Sequence, residues 1–166
     1  MGGKPSCDFP ARLPFCILYH FRVYTNHEKE PITFYSALHK RLFEECCSNH
    51  YQYHSTLEAE ELSVFYLLSL VEEVQKNTVV SSYDFKHRVI KPQSLEEPWQ
   101  TSSTLKAIRL AFNLWNGYVQ DDKERFSTPY EMFDNYWAPY FVEAIKLRFN
   151  NSFKDIPECF IKRKDN

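Results

Sequence analysis

Apolar positions recur at helical spacing along most of this chain. At about 100° per residue, Ile32, Tyr35, Leu38, Leu42, Phe43 and Cys46 share one face, which predicts a helix with that stripe buried. Thr25 and Glu28 have capping-box spacing ahead of it, and Pro31 suits a first turn, so the helix is expected from there to near Ser48. Ser55 and Glu58 repeat the capping-box spacing. Glu58, Glu60 and Glu61 then occupy opening turns that favour negative charge, and a second helix should run to about Lys76. Between Leu62 and Val71 only Ser63 and Ser69 are polar, the pattern of a helix buried all round.

Residues 77–100 carry two prolines and the β-branched pair Val79-Val80. They read as a long connection with a two-stranded ribbon. Ser102 or Ser103 can cap the next helix, and Gly117 should end it. Around that helix Ala107, Ile108, Leu110, Ala111, Phe112, Leu114 and Trp115 cover more than half the circumference. Ser102, Lys106, Arg109, Asn113 and Asn116 leave a narrow polar stripe. A charged loop follows from Asp121 to Arg125. Thr128, Pro129 and Glu131 then mark a helix start, and Pro139 opens another helix ending near Phe149.

Ahead of all this, Phe15 to Tyr24 suits one strand or an extended packed segment, and residues 1–15 hold three of the nine prolines. The expected fold is mainly α: a compact bundle of about five helices with an extended N-terminal arm and minor strand content. Residues 1–15 form the irregular arm, 16–157 a single helical domain and 158–166 a tail.

Composition sharpens this picture by exclusion. The chain has 166 residues and 3 glycines, two of them Gly2 and Gly3, against 14 Phe, 11 Tyr and 3 Trp. Ordinary proteins contain ~7 % glycine. No glycine-rich loop can cradle a phosphate, which removes P-loop, dinucleotide-binding and kinase designs. Tight hairpins lack their usual residue, which argues against a meander or barrel. Twenty Lys and Arg against 22 Asp and Glu give a net charge of −2, so bulk nucleic-acid binding is not expected. The basic run Lys162, Arg163, Lys164 is short enough to be a solvated tail. Five cysteines, Cys7, Cys16, Cys46, Cys47 and Cys159, follow no repeating spacing and suggest reduced thiols in a cytoplasmic protein.

The longest nearly unbroken apolar stretch, Val64 to Val71, is far short of the ~20 residues that span a bilayer. Leu13 to Tyr19 is interrupted by Pro14 and is followed by no small-residue cleavage site, so neither a membrane partner nor a secretory signal is expected. Met1-Gly2-Gly3-Lys4-Pro5-Ser6 fits a myristoylation pattern, with Cys7 placed for a second acyl chain. Two positions decide the match, so chance supplies it in roughly 1 % of chains, and an unmodified N-terminus is the expectation.

Three groups could carry chemistry. Cys47, His50 and His54, at i, i+3 and i+7, could line a helix face and hold zinc with an open fourth position. A polar loop that happens to contain histidines explains them as well, and no cofactor or metal is expected. Arg22 and His27 resemble the R-x4-6-H active-site motif of HEPN ribonucleases, which implies cleavage at the RNA 2′-hydroxyl; the likeness covers two residues. Arg109, Asn113 and Asn116 offer a planar donor fork and two amides suited to a carboxylate, phosphate or backbone. Alternatively, the asparagines bond neighbouring loops and Arg109 pairs with an acid such as Glu143.

His39, inside the first apolar face, reads as a core histidine with a satisfied ring nitrogen; a ligand or catalytic role is the alternative. No glycine flanks any serine, so there is no nucleophile elbow. Glu44-Glu45 and Glu72-Glu73 read as solvated charge at helix ends.

Residues 99–118, WQTSSTLKAIRLAFNLWNGY, and 140–149, YFVEAIKLRF, resemble a small family of uncharacterised proteins from Gram-positive bacteria and their mobile elements. Asn26-His27-Glu28 fits the same pattern, so the likeness covers about residues 20–150 and leaves the first 19 as an addition. It implies a bacterial or phage cytoplasmic protein and assigns no catalytic residue. The functional expectation is therefore a non-enzymatic accessory protein, encoded by a phage or plasmid, that binds a host or self protein partner. Arg109, Asn113, Asn116, Tyr136 and Trp137 are its candidate binding residues, and Tyr51, Tyr53 and Tyr130 are further aromatic hot-spot candidates. A small hydrolase or HEPN-like ribonuclease, using His27 or the Cys47/His50/His54 group, is the alternative.

Overall fold

A helix with no polar face must have neighbours on every side, and the run Leu62–Val71 sets the architecture for that reason. The computed structural model describes residues 32–120 and 128–149, all within one compact unit. The elements in order are α1 (Ala37–Tyr51), α2 (Ala59–Glu72), α3 (Thr78–Ser82), β1 (Tyr83–Asp84), β2 (Val89–Ile90), a 3-10 turn (Pro92–Glu96), α4 (Ser102–Asn116), α5 (Pro129–Phe133) and α6 (Ala138–Arg148). The structure is mainly helical, as the apolar periodicity predicts, and α4, α1 and α6 pack around α2. Ser63 to Val71 are all buried on α2. The two serines fit because each hydroxyl donates to a carbonyl one turn back, Ser63 to Glu60 at 2.8 Å and Ser69 to Tyr66 at 3.0 Å. Phe43, Phe65, Phe112, Phe141 and Trp137 complete the core.

Helix ends follow side-chain chemistry, and several differ from the sequence expectation. Helix α1 starts at Ala37, where Ser36 accepts from the His39 N–H at 3.0 Å, and not near Pro31. Its buried face is therefore His39, Phe43, Cys46, Cys47 and His50, leaving Tyr35 and Leu38 exposed. The cap of α2 is Glu58 with Glu61, whose carboxylate accepts from the Glu58 N–H at 2.7 Å, and not Ser55. Helix α2 stops at Glu72, short of Lys76, because the Glu72 carboxylate turns to accept from the N–H groups of Asn77 (2.6 Å) and Val79 (2.9 Å). Glu73 accepts from the Ser36 hydroxyl at 3.0 Å. This pair is thus structural, not merely solvated charge.

Val79 and Val80 lie in α3, and the ribbon sits later, with Tyr83 opposite Ile90 and Asp84 opposite Val89. Its turn is made without glycine. Asp84 accepts from the N–H groups of Lys86 (3.0 Å) and His87 (3.1 Å), and Arg88 takes the left-handed position at φ 56°. Thr101 caps α4, one residue ahead of the serines expected to do so. Gly117 ends that helix as expected, at φ 78°, donating to the Asn113 carbonyl at 2.8 Å. Thr128 caps α5 with Pro129 in its first turn, and Pro139 lies in the first turn of α6. The N-terminal arm, the Phe15–Tyr24 segment, the Thr25/Glu28 cap, the 121–125 loop and the 158–166 tail lie outside the described residues.

Candidate functional site

The end of α2, the entry to α4 and the link between α5 and α6 converge on a cleft of about 270 Å³. Its lining is Val74, Gln75, Trp99, Thr101, Thr104, Tyr136 and Trp137, without a charged side chain. One wall is fixed by the α4 cap. There the Thr101 hydroxyl accepts from the Thr104 N–H at 3.2 Å, and the Thr104 hydroxyl oxygen accepts from the Thr101 N–H at 2.7 Å. The other wall is aromatic. The Trp137 N–H donates to the Asn135 side chain at 3.0 Å, which fixes the backbone ahead of α6, and the Tyr136 and Trp137 rings stand 5.1 Å apart, tilted by 54°.

The two rings differ in solvation. Trp137 is 1 % exposed and its Nε1 has no hydrogen-bond partner, whereas Tyr136 is 63 % exposed. An orphaned buried donor costs about 1–3 kcal/mol. Gln100 Oε1 and Asn135 Nδ2, on residues next in sequence to lining residues, are also buried and unpartnered. Partial burial, and then the nearby Tyr35, push the Tyr136 hydroxyl above the ordinary tyrosine range. Along the same stretch, Pro129, Tyr130, Phe133 and Asp134 line a second, shallower hollow, with Tyr130 82 % exposed.

Of the residues picked from sequence, Tyr136 and Trp137 meet in the cleft; Arg109, Asn113 and Asn116 line neither hollow. The Arg109 Nη2 donates to Gln120 Oε1 at 3.3 Å. Asn113 Nδ2 donates to the Tyr118 carbonyl at 3.3 Å, and Asn116 Oδ1 accepts from the Tyr118 N–H at 3.1 Å. This stripe folds the segment after Gly117 back onto α4. Trp99, Val74, Gln75, Thr101 and Thr104 were missed. A capping pair and a helix-end valine carry no sequence signal that they share a cleft.

His39, His50 and His54 are bound into the structure. His39 is fully buried, with Nδ1 accepting from the Tyr35 N–H at 3.2 Å and Nε2 donating to the Tyr66 carbonyl at 2.8 Å. That pair of bonds selects the neutral tautomer, and burial lowers its pKa to about 4. Tyr66 donates its hydroxyl to the Thr33 carbonyl, and burial pushes that hydroxyl well up, Glu143 adding to the shift.

His50 and His54 have ring centroids 4.9 Å apart, but their Nε2 atoms go to the carbonyls of Thr56 (2.6 Å) and Phe85 (2.8 Å). The buried Cys47 thiol is pushed up by desolvation and by Glu44. Among the described residues no three His, Cys, Asp or Glu side chains converge on a metal position, so the Cys47/His50/His54 spacing does not translate into a site. Instead, His50 Nδ1 faces the fully buried Glu61 at 3.8 Å, and Glu61 accepts from Arg88 Nε at 2.5 Å. Tyr83 lies against the same pair; burial first, and then the Glu61 charge, push its hydroxyl up. Gly2, Cys7, Arg22 and His27 lie outside the described residues.

Residues 29–159 match DUF6075, a family of unknown function. The chain belongs to that family. The match covers the whole described part of the chain, including both segments that carried the resemblance, and DUF6075 assigns no activity to the cleft. No curated protein and no solved structure matches the chain. Among the described residues no helix is long and apolar enough to cross a membrane.

Proposed function

We propose that this chain works by binding a protein partner and not by catalysis, as an accessory protein of a phage or plasmid that engages a host protein or a copy of itself. One observation carries this reading: within seven residues, Tyr130, Phe133 and Tyr136 are 82 %, 39 % and 63 % exposed, Tyr136 lining the uncharged cleft and the other two the shallower hollow that includes Asp134. Monomer surfaces rarely cluster large aromatics without using them, and tyrosine and tryptophan dominate binding hot spots. Arg109, Asn113 and Asn116, engaged with the 118–120 segment, are no longer favoured as contact residues.

The test is site-specific photo-crosslinking in cells that naturally carry the protein. p-Benzoylphenylalanine in place of Tyr136 or Phe133 should give one discrete adduct that the same residue in place of Lys86, on the hairpin turn, does not. Identical adduct patterns at all three positions, or no adduct at 133 and 136, defeat the proposal.

A further inference from the structure

We infer that Arg88 is an acid-released latch: as pH falls, His50 takes up a proton on Nδ1 and replaces Arg88 as the charged partner of the buried Glu61 carboxylate, freeing the ribbon turn from α2. None of these residues lines the cleft or the shallower hollow, so the latch stands apart from the protein-binding reading. The hydrogen bonds fix the starting state. His50 Nε2 lies 2.6 Å from the Thr56 carbonyl, which can only accept, so Nε2 carries the proton of the neutral ring. Nδ1 is then a bare lone pair. It is buried, has no hydrogen-bond partner and faces Glu61 Oε1 at 3.8 Å. Two acceptors thus face each other, and a proton on Nδ1 turns that contact into a charged donor against a carboxylate.

Glu61 has one oxygen to give. Its Oε2 accepts from the Glu58 N–H at 2.7 Å inside the α2 cap, so Oε1 is the atom that Arg88 holds at 2.5 Å and that His50 faces. Once His50 is charged, one buried carboxylate meets two cations, and Arg88 is the one that can leave. Its side chain is 35 % exposed and regains water on moving out, whereas His50 is fully buried on α1 and tied to Thr56. Arg88 also sits at φ 56° beside a two-residue strand, a left-handed conformation that a non-glycine residue keeps when its surroundings fix it.

Other ionisable groups surround the pair. Tyr83 on β1 lies against Glu61 and Arg88; burial first, and then the Glu61 charge, push its hydroxyl up, so it brings no charge of its own. The Glu58 charge, at the α2 cap, also reaches Arg88. On the ribbon turn His87 pairs with Asp84 at 3.0 Å, and the Tyr51 ring on α1 stands 5.8 Å from that of His50. His54 has its ring 4.9 Å from His50 and gives Nε2 to the Phe85 carbonyl at 2.8 Å, a bond that survives protonation. The turn keeps that tether at either pH, and Arg88 is the part that lets go.

The experiment is a titration of the full chain from about pH 8 to about pH 5, the range in which histidines change charge. Nitrogen-15 spectra follow the His50 ring nitrogens and the Arg88 Nε–H. His50 Nδ1 should move from the bare to the protonated position. At the same midpoint, the Arg88 Nε–H should lose about tenfold or more of its protection against water exchange, measured relative to free arginine at each pH. In His50→Gln, whose amide can still donate to the Thr56 carbonyl, Arg88 should stay protected throughout. Backbone amides of α4 mark any general unfolding that His39 brings in this range. A bare Nδ1 at the acid end, an Arg88 still protected after Nδ1 has its proton, release only in step with α4, or equal release in His50→Gln overturns the inference. Should His50→Gln fail to fold, the parent decides alone: coincident midpoints for His50 and Arg88 support the latch and separate midpoints overturn it.

Discussion

The core around α2 and the stretch 128–137 are both rich in aromatics, and they use them in opposite ways. Phe65 is fully buried among His50, Tyr83 and Phe85, with ring centroids 5.2–5.7 Å away. Tyr66, also fully buried, sits 4.6 Å from the His39 ring and gives its hydroxyl to a backbone carbonyl. Around Tyr136 the rings stand in solvent beside a tryptophan whose indole N–H lacks a partner. Sequence alone treats these tyrosines alike. What separates Tyr66 from Tyr136 is the polar end: the Tyr66 hydroxyl has the Thr33 carbonyl as its acceptor inside the fold, whereas Tyr136 keeps most of its surface in solvent.

If that contrast is right, changes in the core should cost stability, and changes on the 128–137 face should cost binding and little stability. The largest effect is expected from Phe65→Ala, about 3–5 kcal/mol in a denaturant melt, because the rings around it cannot close the cavity. A loss under about 1 kcal/mol would show that the aromatic core is loosely packed.

Next comes acid. His39 is neutral in the fold, with its pKa lowered to about 4, so the unfolded chain takes up its proton first as pH falls. The stability this represents is fully present above pH ~6.5 and is lost between there and about 4, up to about 3 kcal/mol. Comparing melts of the parent and His39→Gln across that window isolates the effect; a parent curve no steeper than the variant's would refute it.

Glu61→Ala should cost about 2–3 kcal/mol, since it uncouples Arg88, strips the α2 cap and leaves His50 Nδ1 facing nothing. That lies below the range for a fully buried pair because Arg88 is partly exposed. Gly117→Ala should cost about 1 kcal/mol, all of it backbone, because an added Cβ meets no atom within 4 Å at φ +78°. The smallest stability effect, within about 0.5 kcal/mol, is expected for Tyr130→Ser. A larger loss there would move Tyr130 from the binding face into the folding account.

The fold was legible where local chemistry speaks. Thr128-Pro129-Glu131 and Gly117 mark helix ends that any tertiary context respects. The run Leu62–Val71 could only be interior. It was misread where two local signals compete. Glu58 displaced Ser55 as the cap of α2, because several polar residues near that start could do the job, and α1 takes its cap from Ser36. Glycine scarcity argued against a meander or barrel, and the two-stranded ribbon expected within 77–100 formed without glycine, its turn made by Asp84 and a left-handed Arg88 that is held by the Glu61 carboxylate from another element. Of the seven residues that line the candidate site, two were legible, Tyr136 and Trp137. The polar stripe on α4 was correctly seen as a stripe, but its partners lie in the segment just after the helix.

By itself, then, the sequence determined that the chain is helical, where several helices begin and end, and which helix lies at the centre, because caps and apolar periodicity act within a few residues. Only the tertiary structure decided which polar groups find partners. It seated His39 and Tyr66 in the core and paired Glu61 with Arg88 across 27 positions. It also left the donor of Trp137 unmet beside an uncharged cleft. A hydrogen bond is a statement about position in space, and residues far apart in the chain carry no mark of it until the helices pack.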